Sequence, residues 1–157
     1  MITIDRENCA RFMPDMGPLL ERHWREVALY QKEVALAPDL DRYCYLEKIG
    51  KLVVLAARDE GRLVGYSVFL LNNHLHYKAC LVASNDVIFL EKEHRTSSSA
   101  GIRLIKESEQ VLAGLRVNRL VWHIKPGNDW SAILKRMGYE IEETIMGKLL
   151  TGVDHGL

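Results

Sequence analysis

The chain has 157 residues, of which 48% are hydrophobic and 27% are charged, and this length and composition suit one compact domain over residues 1–157. Its 21 basic and 21 acidic residues leave a formal net charge of zero, so electrostatics give no reason to expect nucleic acid or an anionic membrane as the main partner. Eleven glycines and four prolines are ordinary usage and exclude collagen-like and disordered classes.

The cysteines and the apolar stretches indicate the cellular compartment. Cys9, Cys44 and Cys80 lie far apart, with no CxxC pair, which argues against a disulfide framework and against a metal site. The first residues contain no apolar core of a signal peptide. The longest apolar-rich stretch, residues 63–71, is shorter than the roughly 20 residues of a membrane helix. We therefore expect a soluble, cytoplasmic protein.

The first third of the chain predicts one short strand and two helices. Residues 2–5 form the candidate strand. Apolar residues then recur at helical spacing from about Pro18 to Gln31, which predicts an amphipathic helix. Asp39 is a typical N-cap residue and predicts a second helix that ends near Gly50.

The middle of the chain predicts a β-hairpin followed by a third strand. The runs LVVLAA (52–57) and LVGYSVFLL (63–71) consist of strand formers and are separated by the turn residues DEGR. A third extended segment spans residues 79–90. Polar residues interrupt it at Ser84, Asn85 and Asp86, where we expect a β-bulge.

The last third alternates helices and strands. Apolar periodicity predicts a helix over 98–115, and LVWHI predicts a strand over 120–124. A final helix is expected from Trp130 to Met137, with Asp129 as its cap, and residues 139–150 read as a closing strand. Hairpins followed by strand–helix–strand units predict an α/β (α+β) fold, a mixed sheet with helices on both faces.

The junction between the third strand and the 98–115 helix is the most informative segment. After Leu90 a short charged loop leads to small residues that open the helix: Ser97, Ser98, Ser99, Ala100 and Gly101. The first N–H groups of a helix lack intrahelical partners, and small side chains let a ligand reach them. With Lys92 and Arg95 nearby, this junction suits a phosphate or pyrophosphate. The serines fit equally well as ordinary helix caps. Neither a Walker loop nor a GxGxxG motif is present.

These residues carry a resemblance to a known family. The segment RTSSSA (95–100) resembles the Arg/Gln-x-x-Gly-x-Gly/Ala signature of the GNAT acetyltransferases. Asn128 followed by AILKRMGY (132–139) is similar to the family's N-x-x-A-x-x-L/Y-x-K-x-G-F segment. The resemblance spans about residues 50–150, and shorter pieces resemble GNAT proteins encoded by bacteriophages. Ser98 replaces the family's first glycine, and Leu134 stands where many members carry a tyrosine that protonates the departing thiolate.

The resemblance implies a GNAT fold with a sheet of about six to seven strands and acetyl-CoA (coenzyme A) as cofactor. The loop would hold the pyrophosphate. The pantetheine arm would lie between strands ending near Leu90 and Ile124, and a backbone N–H around Phe89 or Leu90 would polarise the thioester carbonyl. The cofactor-binding residues implied are Phe89, Leu90, Arg95, Thr96, Ser97, Ser98, Ser99, Ala100, Gly101 and Asn128.

A base is needed to take a proton from the accepting amine. Asp86 is the first candidate, because it interrupts an apolar strand at the expected bulge, where burying a carboxylate is costly. It also fits an exposed turn residue or a structural hydrogen-bond acceptor. His76 and His123 are further catalytic candidates because histidine titrates near neutral pH, although His123 in VWHI also fits a core or edge residue.

Two functions from different classes follow. The first is an acetyl-CoA-dependent N-acetyltransferase that acts on a small amine or on a protein lysine or N-terminus. The second is a phage GNAT-fold protein that binds a host bacterial protein, in the host cytoplasm, with weak or no catalysis. A non-catalytic coenzyme A sensor is a third, lesser hypothesis. Exposed strand edges leave a homodimer open.

Overall fold

The structure is a computed structural model that describes residues 1–96 and 99–150. The strands are β1 (Ile2–Glu7), β2 (Leu52–Asp59), β3 (Arg62–Asn73), β4 (Leu81–Leu90) and β5 (Arg119–Val121). The helices are α1 (Cys9–Val27), α2 (Leu40–Lys48), α3 (Ala100–Gly114) and α4 (Ser131–Arg136), and Lys92–His94 form one turn of 3₁₀-helix. Among these described residues, no helix has the length and apolarity needed to cross a bilayer.

The chain divides into two compact units. The first comprises Met1–Leu20 and Asp39–His123, and the second comprises Glu21–Pro38 with the chain from Ile124 onward. All five strands belong to the first unit. In the second unit, Lys125 Nζ donates a hydrogen bond to the carbonyl of Val27 at 3.0 Å. The single domain expected from the sequence stays a prediction.

The sheet has the order β1-β2-β3-β4-β5. The first four strands pair antiparallel, whereas β4 and β5 pair parallel, so the predicted mixed sheet is confirmed. The expected six to seven strands are wrong for the described residues, which form five. Residues 139–150 form no strand, and their side chains Ile141, Ile145 and Met146 are exposed. Strand-forming side chains are insufficient there because a strand also needs a paired neighbour and a packed face.

Helices cover both faces of this sheet, as the sequence predicted. Tyr66 and Ser67 are consecutive in β3 and therefore point to opposite faces. Phe12 of α1 packs edge-on against Tyr66, with ring centroids 5.5 Å apart. On the other face, the Ser67 and Ser108 hydroxyls of β3 and α3 form a hydrogen bond of 2.9 Å.

The boundaries of α1 differ from the prediction of 18–31. The helix begins at Cys9 because Asn8 caps it, with Asn8 Oδ1 accepting from Arg11 N at 3.0 Å. The Cys9 amide also donates to both carboxylate oxygens of the distant Glu47, at 3.1 and 3.1 Å. The helix ends at Val27 because the Gln31 side chain turns back and donates to three carbonyls at the helix end, those of Trp24, Arg25 and Ala28. The predicted start of α2 is confirmed, since Asp39 Oδ1 accepts from Arg42 N at 2.9 Å.

Candidate functional site

The predicted bulge in the third strand is confirmed and lies at Asp86. Val87 pairs with Val68 of β3, and Asn85 pairs with Phe69, so the ladder passes over Asp86. The Asn85 side chain is buried and donates to the carbonyl of Val87 at 2.9 Å. This hydrogen bond holds the backbone of the bulge, while the Asp86 side chain remains exposed to solvent.

The parallel pairing between β4 and β5 ends partway along β4. Strand β5 pairs with β4 from Val82 to Ser84, and the last pair joins Ser84 to Val121. Strand β4 continues beyond that pair to Leu90. In the described part of the chain, the ladder therefore ends just before the bulge. Among the described residues, the β4–β5 pairs do not include Asp86, Val87 or Ile88, and a ligand could pair with strand backbone at this point.

The end of β4 packs tightly against β3. A Cβ atom placed on Gly65 would lie 2.7 Å from Leu90 Cδ1 and 2.8 Å from the Phe89 carbonyl oxygen. These separations are shorter than ordinary van der Waals contact, so only glycine fits. Phe89 precedes Leu90 in β4, so its ring lies on the opposite face of the sheet. There it lies beside Tyr66, with ring centroids 6.4 Å apart. The position of the β4 end is therefore closely determined.

The loop after β4 is fixed to that strand through Arg95. Its Nε atom donates to the carbonyl of Leu90 at 2.7 Å, and its guanidinium carbon lies 5.2 Å from the centroid of the Phe89 ring. Three of the predicted cofactor residues, Phe89, Leu90 and Arg95, are thus in one place. Thr96 follows and is exposed.

The helix that follows this loop begins at Ala100, which is buried. Ser99 precedes it in a left-handed conformation, with φ 50° and ψ 9°, and its side chain makes no capping hydrogen bond among the described residues. The interpretation of the serines as ordinary caps therefore fails for Ser99. Ser97 and Ser98 lie outside the described residues. Among the described residues, a Cβ on Gly101 would meet only Leu90 Cδ2 within 4 Å, at 3.9 Å.

Asp86 has two ionisable neighbours. The surrounding protein partly desolvates its carboxylate and raises the pKa of Asp86, while the charge of His123 lowers it in part. His123 lies two residues after the end of β5 and is exposed. On the other side, Tyr43 of α2 has a pKa raised to about 12 by burial and then by the negative charges of Asp86 and Cys9. The structure therefore brings together His123, Asp86 and Tyr43.

Sequence reasoning did not select Tyr43. The only local signal is the Asp39 cap, which starts α2 and places residue 43 one turn into the helix. Which face of α2 is turned toward the sheet depends on contacts with distant residues, and no periodicity within a helix this short resolves it.

His76 lies away from the bulge, at the other end of β4. His76 is exposed in the turn between β3 and β4, where its backbone amide donates to His74 Nδ1 at 3.1 Å. The paired residues from Asn85 to Leu81 separate this turn from the bulge, a span of about 15 Å at the rise of a strand. Asn128 belongs to the second unit, in a turn where its amide donates to the Lys125 carbonyl at 2.9 Å.

The described residues contain no group of three or more His, Cys, Asp or Glu side chains that could hold a metal ion. The functional groups at the site are the Asp86 carboxylate, the His123 imidazole, the Tyr43 phenol, the Arg95 guanidinium and backbone amides.

Comparison with known proteins rests on structure, because no protein-family profile and no curated protein matches this sequence. A ribosomal-protein-alanine N-acetyltransferase from Brucella melitensis biovar Abortus 2308 superposes with a TM-score of 0.70 at 17% identity, covering 97% of this chain and 100% of that one. An aminoglycoside acetyltransferase from an uncultured soil metagenomic sample gives a TM-score of 0.76 at 13% identity, covering 97% and 99%. This chain has the GNAT acetyltransferase fold. The resemblance to phage-encoded proteins stays a prediction.

One structural neighbour with this fold was solved with the cofactor that the sequence resemblance implies. A predicted acetyltransferase from Clostridium acetobutylicum, solved with acetyl-CoA, has a TM-score of 0.68 at 9% identity and covers 96% of this chain and 97% of that one. In the present chain, Leu134 lies in α4 and is buried. The position that carries a tyrosine in many GNAT proteins thus holds an apolar, enclosed side chain.

Proposed function

We propose that this protein is an acetyl-CoA-dependent N-acetyltransferase that transfers an acetyl group to an amine. The observation that carries the proposal is the end of the β4–β5 ladder at Ser84, immediately before a bulge that presents Asp86. This places a carboxylate beside strand backbone that a bound chain can pair with. The acetyltransferase fold over nearly the whole chain supports the proposal.

The loop before α3 would hold the pyrophosphate of the cofactor. Arg95 supplies a positive charge at a position held by the Leu90 carbonyl and the Phe89 ring. The first amides of α3 supply N–H donors at the positive end of the helix dipole. Ser99 does not occupy them with its own side chain in the described structure. The residues therefore fit a diphosphate, and acetyl-CoA would supply the activated acyl group as a thioester.

Asp86 would act as the base. An amine attacks a carbonyl only when it is neutral, so a proton must leave the incoming ammonium. Partial desolvation raises the pKa of Asp86, which makes its carboxylate a stronger proton acceptor while it remains in contact with solvent. His123 and Tyr43 flank it and would orient the amine or a bridging water.

Cofactor binding and turnover can be tested separately. Calorimetric titration with acetyl-CoA tests binding, and a thiol-release assay with a panel of small amines and peptides tests transfer. We expect Arg95→Ala to weaken acetyl-CoA binding about 10-fold, which corresponds to about 1.4 kcal/mol. Arg95→Lys should recover part of the loss. Lys106→Ala is the matched control, because it removes one positive charge from an exposed position of α3. The absence of binding at millimolar acetyl-CoA would remove the transferase proposal.

A second candidate is a GNAT-fold protein that binds a host protein and has little or no catalysis. The buried Leu134 favours it, because no hydroxyl is available at that position to protonate a departing thiolate. This candidate predicts that the protein captures a specific partner from bacterial lysate and releases no thiol with any amine tested. Light scattering of the isolated protein tests whether it forms a homodimer.

A further inference from the structure

The N-terminus of α1 is held by a residue of α2. The Cys9 amide is the first of the helix, and it donates to both oxygens of the Glu47 carboxylate at 3.1 and 3.1 Å. The first turn of α1 contains no acidic residue of its own. Glu47 therefore supplies the negative charge that a helix N-terminus favours, and this contact positions the C-terminal end of α2 against Cys9.

The same contact brings two cysteines together. Cys44 precedes Glu47 by three residues, so the two side chains share one face of α2. This arrangement places the two thiols near enough for Cys44 to contribute to the raised pKa of Cys9. Cys9 is buried, with 2% of its surface exposed, whereas Cys44 is exposed. Both thiols are free.

We propose that Cys9 and Cys44 are a redox-reactive pair, which a peroxide converts into a disulfide that ties α2 to the start of α1. The pair combines one thiol that solvent can reach with a second thiol in contact with it. This is the arrangement of a sensing cysteine beside a resolving cysteine. Cys80 lies apart, in the turn between β3 and β4, where its amide donates to the Tyr77 carbonyl.

The reaction has two steps. The Cys44 sulfur attacks one oxygen of hydrogen peroxide, which breaks the O–O bond, forms a sulfenic acid on Cys44 and releases one water. The Cys9 sulfur then attacks the Cys44 sulfur and displaces hydroxide. The Cys9 thiol proton passes to the adjacent Glu47 carboxylate and from there neutralises the hydroxide. The two thiols lose two electrons and the peroxide gains two, and a dithiol reductant reverses the change.

The surroundings of Cys9 determine which cysteine reacts first. Burial, the contact with Cys44 and the charge of Glu47 raise the pKa of Cys9 to about 12, so this thiol is protonated and is a poor first nucleophile. The exposed Cys44 reacts with peroxide instead. Helix α2 has no buried residue of its own, so a bond to α1 would restrict the helix that carries Tyr43.

The test uses the full chain and is independent of acetyl transfer. The protein is treated with hydrogen peroxide, alkylated under denaturing conditions and analysed by intact mass and peptide mapping. We expect a monomer with one alkylated cysteine, Cys80, and a Cys9–Cys44 linked peptide that dithiothreitol removes. The reduced protein should carry three alkylated cysteines, and the oxidised protein should melt at a higher temperature.

Three variants separate the pair from general oxidation. Cys44→Ser and Cys9→Ser should each abolish the link, and Cys80→Ser should leave it unchanged. Cys44→Ser changes an exposed residue, so its result stands even if the buried Cys9→Ser variant folds poorly. The proposal is overturned if wild-type protein keeps three alkylated cysteines, if Cys44 is oxidised to the sulfonic acid without a link, or if Cys44 joins two chains into a dimer.

Discussion

The loop from Arg95 to Gly101 and the bulge at Asp86 are both parts of the proposed site, and they are built in different ways. The loop is a continuous segment in which small residues follow Arg95 closely in sequence. The bulge site joins Tyr43, Asp86 and His123, which come from a helix, a strand and the residues after another strand. A cofactor loop can therefore be recognised from a local pattern, whereas an acceptor site is assembled by the fold.

The largest expected effect tests whether Asp86 has a chemical role. We expect Asp86→Asn to lower the rate of amine acetylation about 10²–10⁴-fold, because the amide cannot accept the ammonium proton. Acetyl-CoA affinity should change little, since the loop is untouched. Steady-state thiol release and calorimetry measure the two quantities. If the variant retains most of the wild-type rate, Asp86 is a structural residue and the bulge site has no base.

The effect of pH on the Asp86 carboxyl group separates a loss of activity from a loss of stability. The folded protein raises the pKa of Asp86 above its unfolded value, so it favours the protonated form. The stability that comes from this protonation is present at acid pH and is lost as the pH rises through the raised pKa. Asp86→Asn should therefore be at least as stable as wild type at neutral pH. In wild type, acetylation should fall as the pH drops through the same pKa.

The second prediction concerns Gly65 of β3, which packs against the end of β4, the strand that joins the bulge to the loop. Gly65→Ala should lower the free energy of unfolding by about 1–3 kcal/mol, because the added Cβ meets the Phe89 carbonyl oxygen and Leu90 Cδ1 at less than 3 Å. Acetyl-CoA binding should weaken as well, since the β4 end carries the Arg95 contact. Urea denaturation and calorimetry measure both effects.

Gly114→Ala is the matched control for that substitution. Gly114 is the last residue of α3, and a Cβ placed there has no neighbour within 4 Å in the described part of the chain. Alanine should therefore raise stability by up to about 1 kcal/mol. Equal destabilisation by both substitutions would show that the close approach at Gly65 is unimportant.

The smallest expected effect concerns Tyr43. Tyr43→Phe removes a hydroxyl whose pKa is raised by burial and then by the charge of Asp86. The loss of one hydrogen bond to the amine or to water should cost about 0.5–1.5 kcal/mol in transition-state stabilisation. The kcat/KM for the amine should therefore fall between about 2-fold and 10-fold, with acetyl-CoA affinity unchanged. Tyr45→Phe is the control, since Tyr45 is 60% exposed on the same helix. A loss confined to acetyl-CoA binding would place Tyr43 with the loop.

Much of the fold could be predicted from the order of residues along the chain. The hairpin of β2 and β3, the cap at Asp39, the bulge at Asp86 and the body of α3 all rest on alternation, periodicity or turn chemistry between near neighbours. The candidate loop was recognised in the same way. In each case, the interactions that form the feature lie within a few residues of each other.

Contacts between distant residues were needed for the remaining features. The second hydrogen-bond partner at the start of α1, Glu47, lies 38 residues from Cys9, and Tyr43 meets Asp86 only because α2 folds over the sheet. Residues 139–150 have the composition of a strand but form none, because pairing depends on which sheet edge the chain can reach. Hydrogen bonds over a turn follow from adjacent side chains, whereas contacts across the fold depend on where the rest of the chain is packed.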